Sequence, residues 1–158
     1  MFIKLFPGLK YPLISLIVRA DGRKSFSENT IRSVKRSDYR GDVETILFDD
    51  KKDLKKIKGR ILVFFDDGCL LGKDLLSRVA DAADRGILAG TCYVKPKKKR
   101  FFLLLKYGLR NLFNSKRNVD KLFFCSKEFY DKEKSLEMLA LKPRSLKRFK
   151  VVKGFVSV

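Results

Sequence analysis

The stretch Ile61 to Leu76, ILVFFDDGCLLGKDLL, constrains the fold of this chain more than any other. Five apolar residues, Ile61 to Phe65, run directly into two adjacent carboxylates, Asp66 and Asp67. A run that short, apolar throughout and rich in bulky and β-branched side chains, predicts a strand buried on both faces. Acids closing such a strand stand at the carboxyl edge of a parallel sheet, where open α/β folds bind ligands. Two like charges side by side repel unless a cation or a positively charged ligand part lies between them, and a divalent metal carrying phosphates is the natural occupant. The alternative is a surface turn, Asp-Asp-Gly, that ends the strand.

The rest of the chain repeats the pattern. Pro12 to Val18, PLISLIV, is a second apolar, β-branched run, and Val43 to Phe48, VETILF, a third, ending in Asp49 and Asp50. Between them Ser25 to Val34 has helical spacing, with Ser27 as N-cap, Glu28 in the first turn and Phe26, Ile31 and Val34 as the apolar stripe. Lys51 to Lys58 reads as a short solvated helix or loop. Lys73 to Ala83 predicts a helix through Leu75, Leu76, Val79, Ala80 and Ala83, stopped by Gly86. Ile87 to Val94 is a fourth strand candidate, Lys121 to Cys125 a fifth, and Lys127 to Leu141 a helix. The order βαβ(α)βαβ implies a parallel sheet with helices on its faces, a three-layer, Rossmann-like α/β/α arrangement. No internal repeat and no dividing linker is visible, so residues 1–158 are expected to form a single domain.

Charge separates the two parts of the chain. The formal net charge is +19. Residues 95–158 hold 19 Lys+Arg against 5 Asp+Glu, a net of +14, so most of the positive field lies there. Such a field attracts nucleic acid, anionic lipid headgroups or phosphate-bearing substrates. Within it, Phe101 to Phe113, FFLLLKYGLRNLF, follows the basic run Pro96 to Arg100. On a helix, Phe102, Leu105, Leu109 and Phe113 share a face with Lys106 and Arg110 to its sides, the make-up of a basic membrane-surface helix. The same pattern also fits an ordinary helix packed on the sheet with its lysines in water. Histidine is absent, which removes His-dependent triads and His metal sites and leaves carboxylates as the candidates for acid–base work. Cys69, Cys92 and Cys125 are widely spaced and odd in number, so reduced thiols in a cytoplasmic setting are expected. The opening segment is broken by Pro7, Gly8 and Pro12 and lacks a small-residue cleavage site, so no signal peptide is expected. No apolar run approaches the roughly 20 residues of a membrane-spanning helix.

In the order of its elements and acids the chain resembles a family 2 glycosyltransferase with the nucleotide-sugar-binding A-type fold. The resemblance covers about residues 11–150. PLISLIVRADGRKSFSENTIRSV resembles that family's first strand and helix, and ILVFFDDGCLLGKDLLSRV its acidic motif with the flanking strand and helix. NVDKLFFCSKEFYDKE is similar to the acceptor-side segment, and LKPRSLKRF to a late basic stretch. The resemblance implies transfer of a sugar from a nucleotide-diphosphate donor to an acceptor hydroxyl, with inversion. It implies nucleotide-binding roles for Asp21, Asp49, Asp50 and Asp66, and a divalent metal, Mn²⁺ or Mg²⁺, on Asp67 and Asp66. It implies Glu137 as the catalytic base and Asp120 as an acid lining the acceptor side. The partners implied are a nucleotide-diphosphate sugar and a lipid-linked or glycan acceptor. Together with the +14 segment, the resemblance makes an anionic membrane surface a further expected partner, with the protein peripheral at the membrane's inner face. Gly68 stands where many members carry a third acid, and Glu137 is followed by Met138 rather than by a second acid. A catalytically inactive relative is therefore one alternative. A basic nucleic-acid-binding protein is the other, through clusters such as PKKKR and KPRSLKR, although no helix-turn-helix, zinc or ribonucleoprotein motif is visible.

Overall fold

The computed structural model describes residues 2–3, 11–19, 22, 24–48, 57–97, 101–114, 121–133 and 149–158. Among them are eight strands: β1 (Phe2–Ile3), β2 (Ile14–Arg19), β3 (Val43–Phe48), β4 (Ile61–Asp66), β5 (Leu70–Leu71), β6 (Ala89–Lys95), β7 (Leu122–Ser126) and β8 (Phe149–Ser157). The described helices are α1 (Glu28–Lys35), α2 (Leu75–Asp84), α3 (Phe101–Asn114) and α4 (Lys127–Glu133). The strands form one sheet in the order β1-β3-β2-β4-β7-β6-β8-β5. β2 pairs in parallel with both β3 and β4, and β6 with β8. β7 lies antiparallel between β4 and β6, so these two neighbours run the same way. The five longer strands β2, β3, β4, β6 and β8 thus share one direction, which the apolar runs predict for the first four, while β1, β5 and β7 oppose it.

Alternation along each strand builds two cores. Ile14, Leu16 and Val18 of β2, Ile61, Val63 and Phe65 of β4, and Leu122 and Phe124 of β7 point to one face. There they meet Val34 of α1 and Leu75, Leu76, Val79 and Ala80 of α2, with Tyr107 of α3 packed against the cluster. Ile17, Leu62, Phe64, Phe123 and Cys125 point to the other face and meet Ile57 and Phe129 of α4. Helices therefore cover both faces, and strands wet on neither side read as continuous apolar runs. The helix starts follow local rules. Ser27 caps α1, its hydroxyl accepting from the Thr30 N–H at 3.3 Å. Gly86, at φ +77°, follows the end of α2 in the left-handed region that glycine tolerates.

Three features depart from the sequence expectation. The strand expected over Ile87–Val94 begins at Ala89 and ends at Lys95. β7 is inserted antiparallel, a direction that a single apolar run cannot reveal. β8 was not expected, because Lys150, Lys153 and Gly154 interrupt its apolar pattern. Its middle is irregular: Cys92 pairs with Val152 but Tyr93 with Phe155, so Lys153 and Gly154 bulge out of the ladder. Most of the expected Lys51–Lys58 element and the part of the Lys127–Leu141 helix beyond Glu133 lie outside the described residues.

Candidate functional site: the carboxyl edge of β2, β3 and β4

The chain runs from β2 to β3 on one side and then crosses to β4 on the other, so the strand order reverses between β2 and β4. In open α/β sheets the crevice at such a switch point, outside the carboxyl ends of the strands, is where ligands bind. Here those ends are level. Arg19 of β2 stands opposite Phe48 of β3 on one side and opposite Asp66 of β4 on the other. Asp66 carries an ion pair to the Arg19 guanidinium at 2.7 Å, with both side chains partly exposed.

Asp67 has a different environment. Its carboxylate accepts from the Ser27 backbone N–H at 2.9 Å and from the Thr30 hydroxyl at 2.8 Å. The Thr30 hydroxyl in turn accepts from the Gly68 N–H at 3.1 Å. Asp67 thus closes the first turn of α1, where N–H groups lack helical partners and the helix dipole favours a negative charge. Burial by itself pushes this carboxyl up. The N–H of Ser27, the hydroxyls of Thr30 and Ser27 and the N–H of Gly68 outweigh that effect and hold it below its ordinary value. The turn reading of the Asp-Asp-Gly segment is met here: Asp66 ends the strand, and Asp67 and Gly68 form a turn. Gly68 sits at φ +82°, which a side chain would strain, so the turn geometry favours glycine there.

The two like charges are separated by having different protein partners, the Arg19 guanidinium for Asp66 and the α1 terminus for Asp67. Among the described residues no group of three or more Cys, Asp or Glu side chains converges as a metal would require. The described residues alone do not make a metal site.

Cations border the edge. Lys97, just past β6, donates from Nζ to the Gly68 carbonyl at 2.6 Å. Lys121 directly precedes β7, whose Leu122 stands opposite Phe65. Both lysines draw the Cys69 thiol down, against burial and the Asp66 charge, which push it up more strongly. Arg19, Lys97 and Lys121 thus bring positive charge to the end of β4. Sequence reasoning did not single out Arg19 or Lys121 for this edge. The available signal was their position, one residue beyond or before an apolar run. The three thiols are free and buried, and burial raises each of them, so none is set up as a nucleophile.

Other expected site residues lie outside the described residues: Asp21, Asp49, Asp50, Asp120 and Glu137. β3 nevertheless carries the chain to Phe48, level with Asp66, immediately before Asp49. A cavity of about 470 Å³ opens at the opposite edge, where Pro12, Arg60 and Leu88 precede β2, β4 and β6. It lies at the end of the sheet away from Asp66 and Asp67.

No family model and no curated protein sequence matches this chain. Solved structures do match its fold. The crystal structure of S. aureus TarS 1-349 in complex with UDP-GlcNAc aligns at a TM-score of 0.61 and 11% identity, covering 92% of this chain and 58% of that one. The complex of TarS 1-349 with UDP aligns at 0.60 and 12%, covering 92% and 60%. This chain therefore spans about three fifths of the TarS chain. At such identity the likeness is one of fold.

Proposed function

We propose that this chain binds a nucleotide-diphosphate sugar at the carboxyl edge of β2, β3 and β4 and transfers the sugar to an acceptor hydroxyl with inversion. The observation that carries the reading is the switch point between β2 and β4, where Arg19 and Asp66 face each other among further cations. The fold likeness to a protein solved with UDP-GlcNAc and with UDP, together with the resemblance of the acidic motif to family 2 glycosyltransferases, supports it.

The chemistry asks for two things. The bond between the anomeric carbon and the diphosphate breaks, and the diphosphate leaves with the electron pair. Arg19, Lys97 and Lys121 neutralise that charge as it develops, the planar guanidinium of Arg19 being suited to phosphate oxygens. The acceptor hydroxyl attacks from the opposite side while a carboxylate takes its proton. Glu137 is the base in this reading, and Asp120 lines the acceptor side. Asp21, Asp49 and Asp50 hold the nucleoside through their acceptor oxygens, beside Asp66. The acceptor is lipid-linked or a glycan. The reading includes Mn²⁺ or Mg²⁺ beside Asp66, where a bound cation would add to the neutralisation of the diphosphate.

Calorimetric titration and thermal melts with UDP, with and without manganese, test the reading. UDP at about 100 times its dissociation constant stabilises the folded state by about 2.7 kcal/mol. Arg19→Ala should weaken binding at least about tenfold without unfolding the protein, since an exposed ion pair contributes at most about 1 kcal/mol to stability. UDP binding without release of UDP from UDP-GlcNAc in the presence of acceptor glycans would point to an inactive relative. No effect of UDP, with steeply salt-dependent affinity for duplex DNA, would replace the reading by nucleic-acid binding.

A further inference from the structure

Helix α3 meets the sheet through Asn111 and Tyr107. The Asn111 side chain accepts from the Val94 N–H at 3.0 Å and donates to the Val94 carbonyl at 2.8 Å. β7 pairs with β6 only at Ala89 and Gly90, so this amide acts as a peptide would along the upper half of β6. Tyr107, one turn earlier on the same face, packs against the core. The opposite face carries Phe102, Leu105 and Leu109 at i, i+3 and i+7 spacing, with Lys106 beside them. Phe102 is 81% exposed, Leu105 50% and Leu109 48%. Of the two readings of this stripe, packing on the sheet is not met by Phe102, Leu105 and Leu109, which face outward, while the Phe113 side chain lies outside those described.

We propose that this outward face of α3 docks on an anionic lipid surface, with Phe102, Leu105 and Leu109 entering the headgroup region and Lys106 meeting lipid phosphates. The proposal goes beyond the transferase reading and does not depend on it. Charge selects the occupant. The segment from residue 95 onward carries a net of +14, which an anionic membrane attracts. A second copy of a chain at +19 would be repelled and would bring Lys106 against its own kind. The helix lies on the surface rather than crossing it. Its 14 residues span about 21 Å, short of the roughly 30 Å hydrocarbon core, and no described helix is long and apolar enough to cross a membrane.

Co-sedimentation with vesicles tests this. The protein should bind vesicles of phosphatidylglycerol and phosphatidylcholine, bind phosphatidylcholine alone far less, and lose binding as sodium chloride is raised. Lys106→Ser should lower partitioning about fivefold. Leu105→Ser with Leu109→Ser should lower it at least about tenfold, because the apolar area that enters the interface is removed. Circular-dichroism melts check that these exposed changes leave the fold intact, and Phe102→Ser provides a second apolar variant should the pair not fold. Equal binding to neutral and anionic vesicles, or binding to neither, overturns the proposal. So does a dimer in sedimentation velocity that the Leu105/Leu109 variant dissolves, since a second copy would then be the occupant.

Discussion

Asp67 spends its charge on the first turn of α1, and that fixes what its loss should do. Asp67→Ala removes acceptors from the Ser27 N–H and the Thr30 hydroxyl and should cost about 1–2 kcal/mol in urea unfolding at neutral pH, the range of a lost helix cap. Beside the metal role that the resemblance implies, Asp67 thus has a structural role in the cap. The folded-state pKa of Asp67 is held low, so its contribution is fully present above the unfolded value and is lost as pH falls through the folded value. Wild-type urea midpoints should thus drop below about pH 4 more steeply than those of Asp67→Asn. Parallel curves for the two proteins would show that the carboxylate charge adds nothing to the cap. The Asp-Asp-Gly pattern was visible in the sequence, but the partner of each acid was not. Ser27 lies 40 positions from Asp67, and nothing local to either residue encodes that meeting.

At the scale of elements, α3 is the test case. Its apolar stripe and the basic run before it were legible from spacing alone. Which side would face the sheet was not, because helical periodicity gives the stripe and not its partner. Asn111 decides it, since its side-chain amide meets both polar groups of Val94. Asn111→Ala should cost about 1–3 kcal/mol, as the Val94 groups lose their partner, and should speed amide exchange at Val94 more than at Leu16 in the sheet centre. Unchanged exchange at Val94 would mean that water replaces the side chain at no cost. β8 was missed for the opposite reason. Lys153 and Gly154 break its pattern, yet they are absorbed by a bulge opposite the step from Cys92 to Tyr93.

For the whole molecule, a net charge of +19 should make stability depend on ionic strength. Raising salt from about 10 to about 150 mM shortens the screening length from about 30 to about 8 Å and relieves self-repulsion in the compact state. The melting temperature should rise over that range in sodium chloride. A flat or falling curve would show that interleaved carboxylates already cancel the repulsion. Salt should act oppositely on ligand affinity, since the cations at the end of β4 attract an anion less well when screened. Melts with and without UDP at each salt concentration separate the two effects.

Local periodicity was enough to reveal the apolar strands, the helices between them and the acids at one strand edge, because each of those signals is written within a few neighbouring residues. The direction of β7, the Asp67 cap, the Arg19–Asp66 pair and the outward face of α3 were settled by folding. Each depends on residues far apart in sequence, or on packing and register, and the free energy that chooses among such partners exists only once the sheet has brought them together.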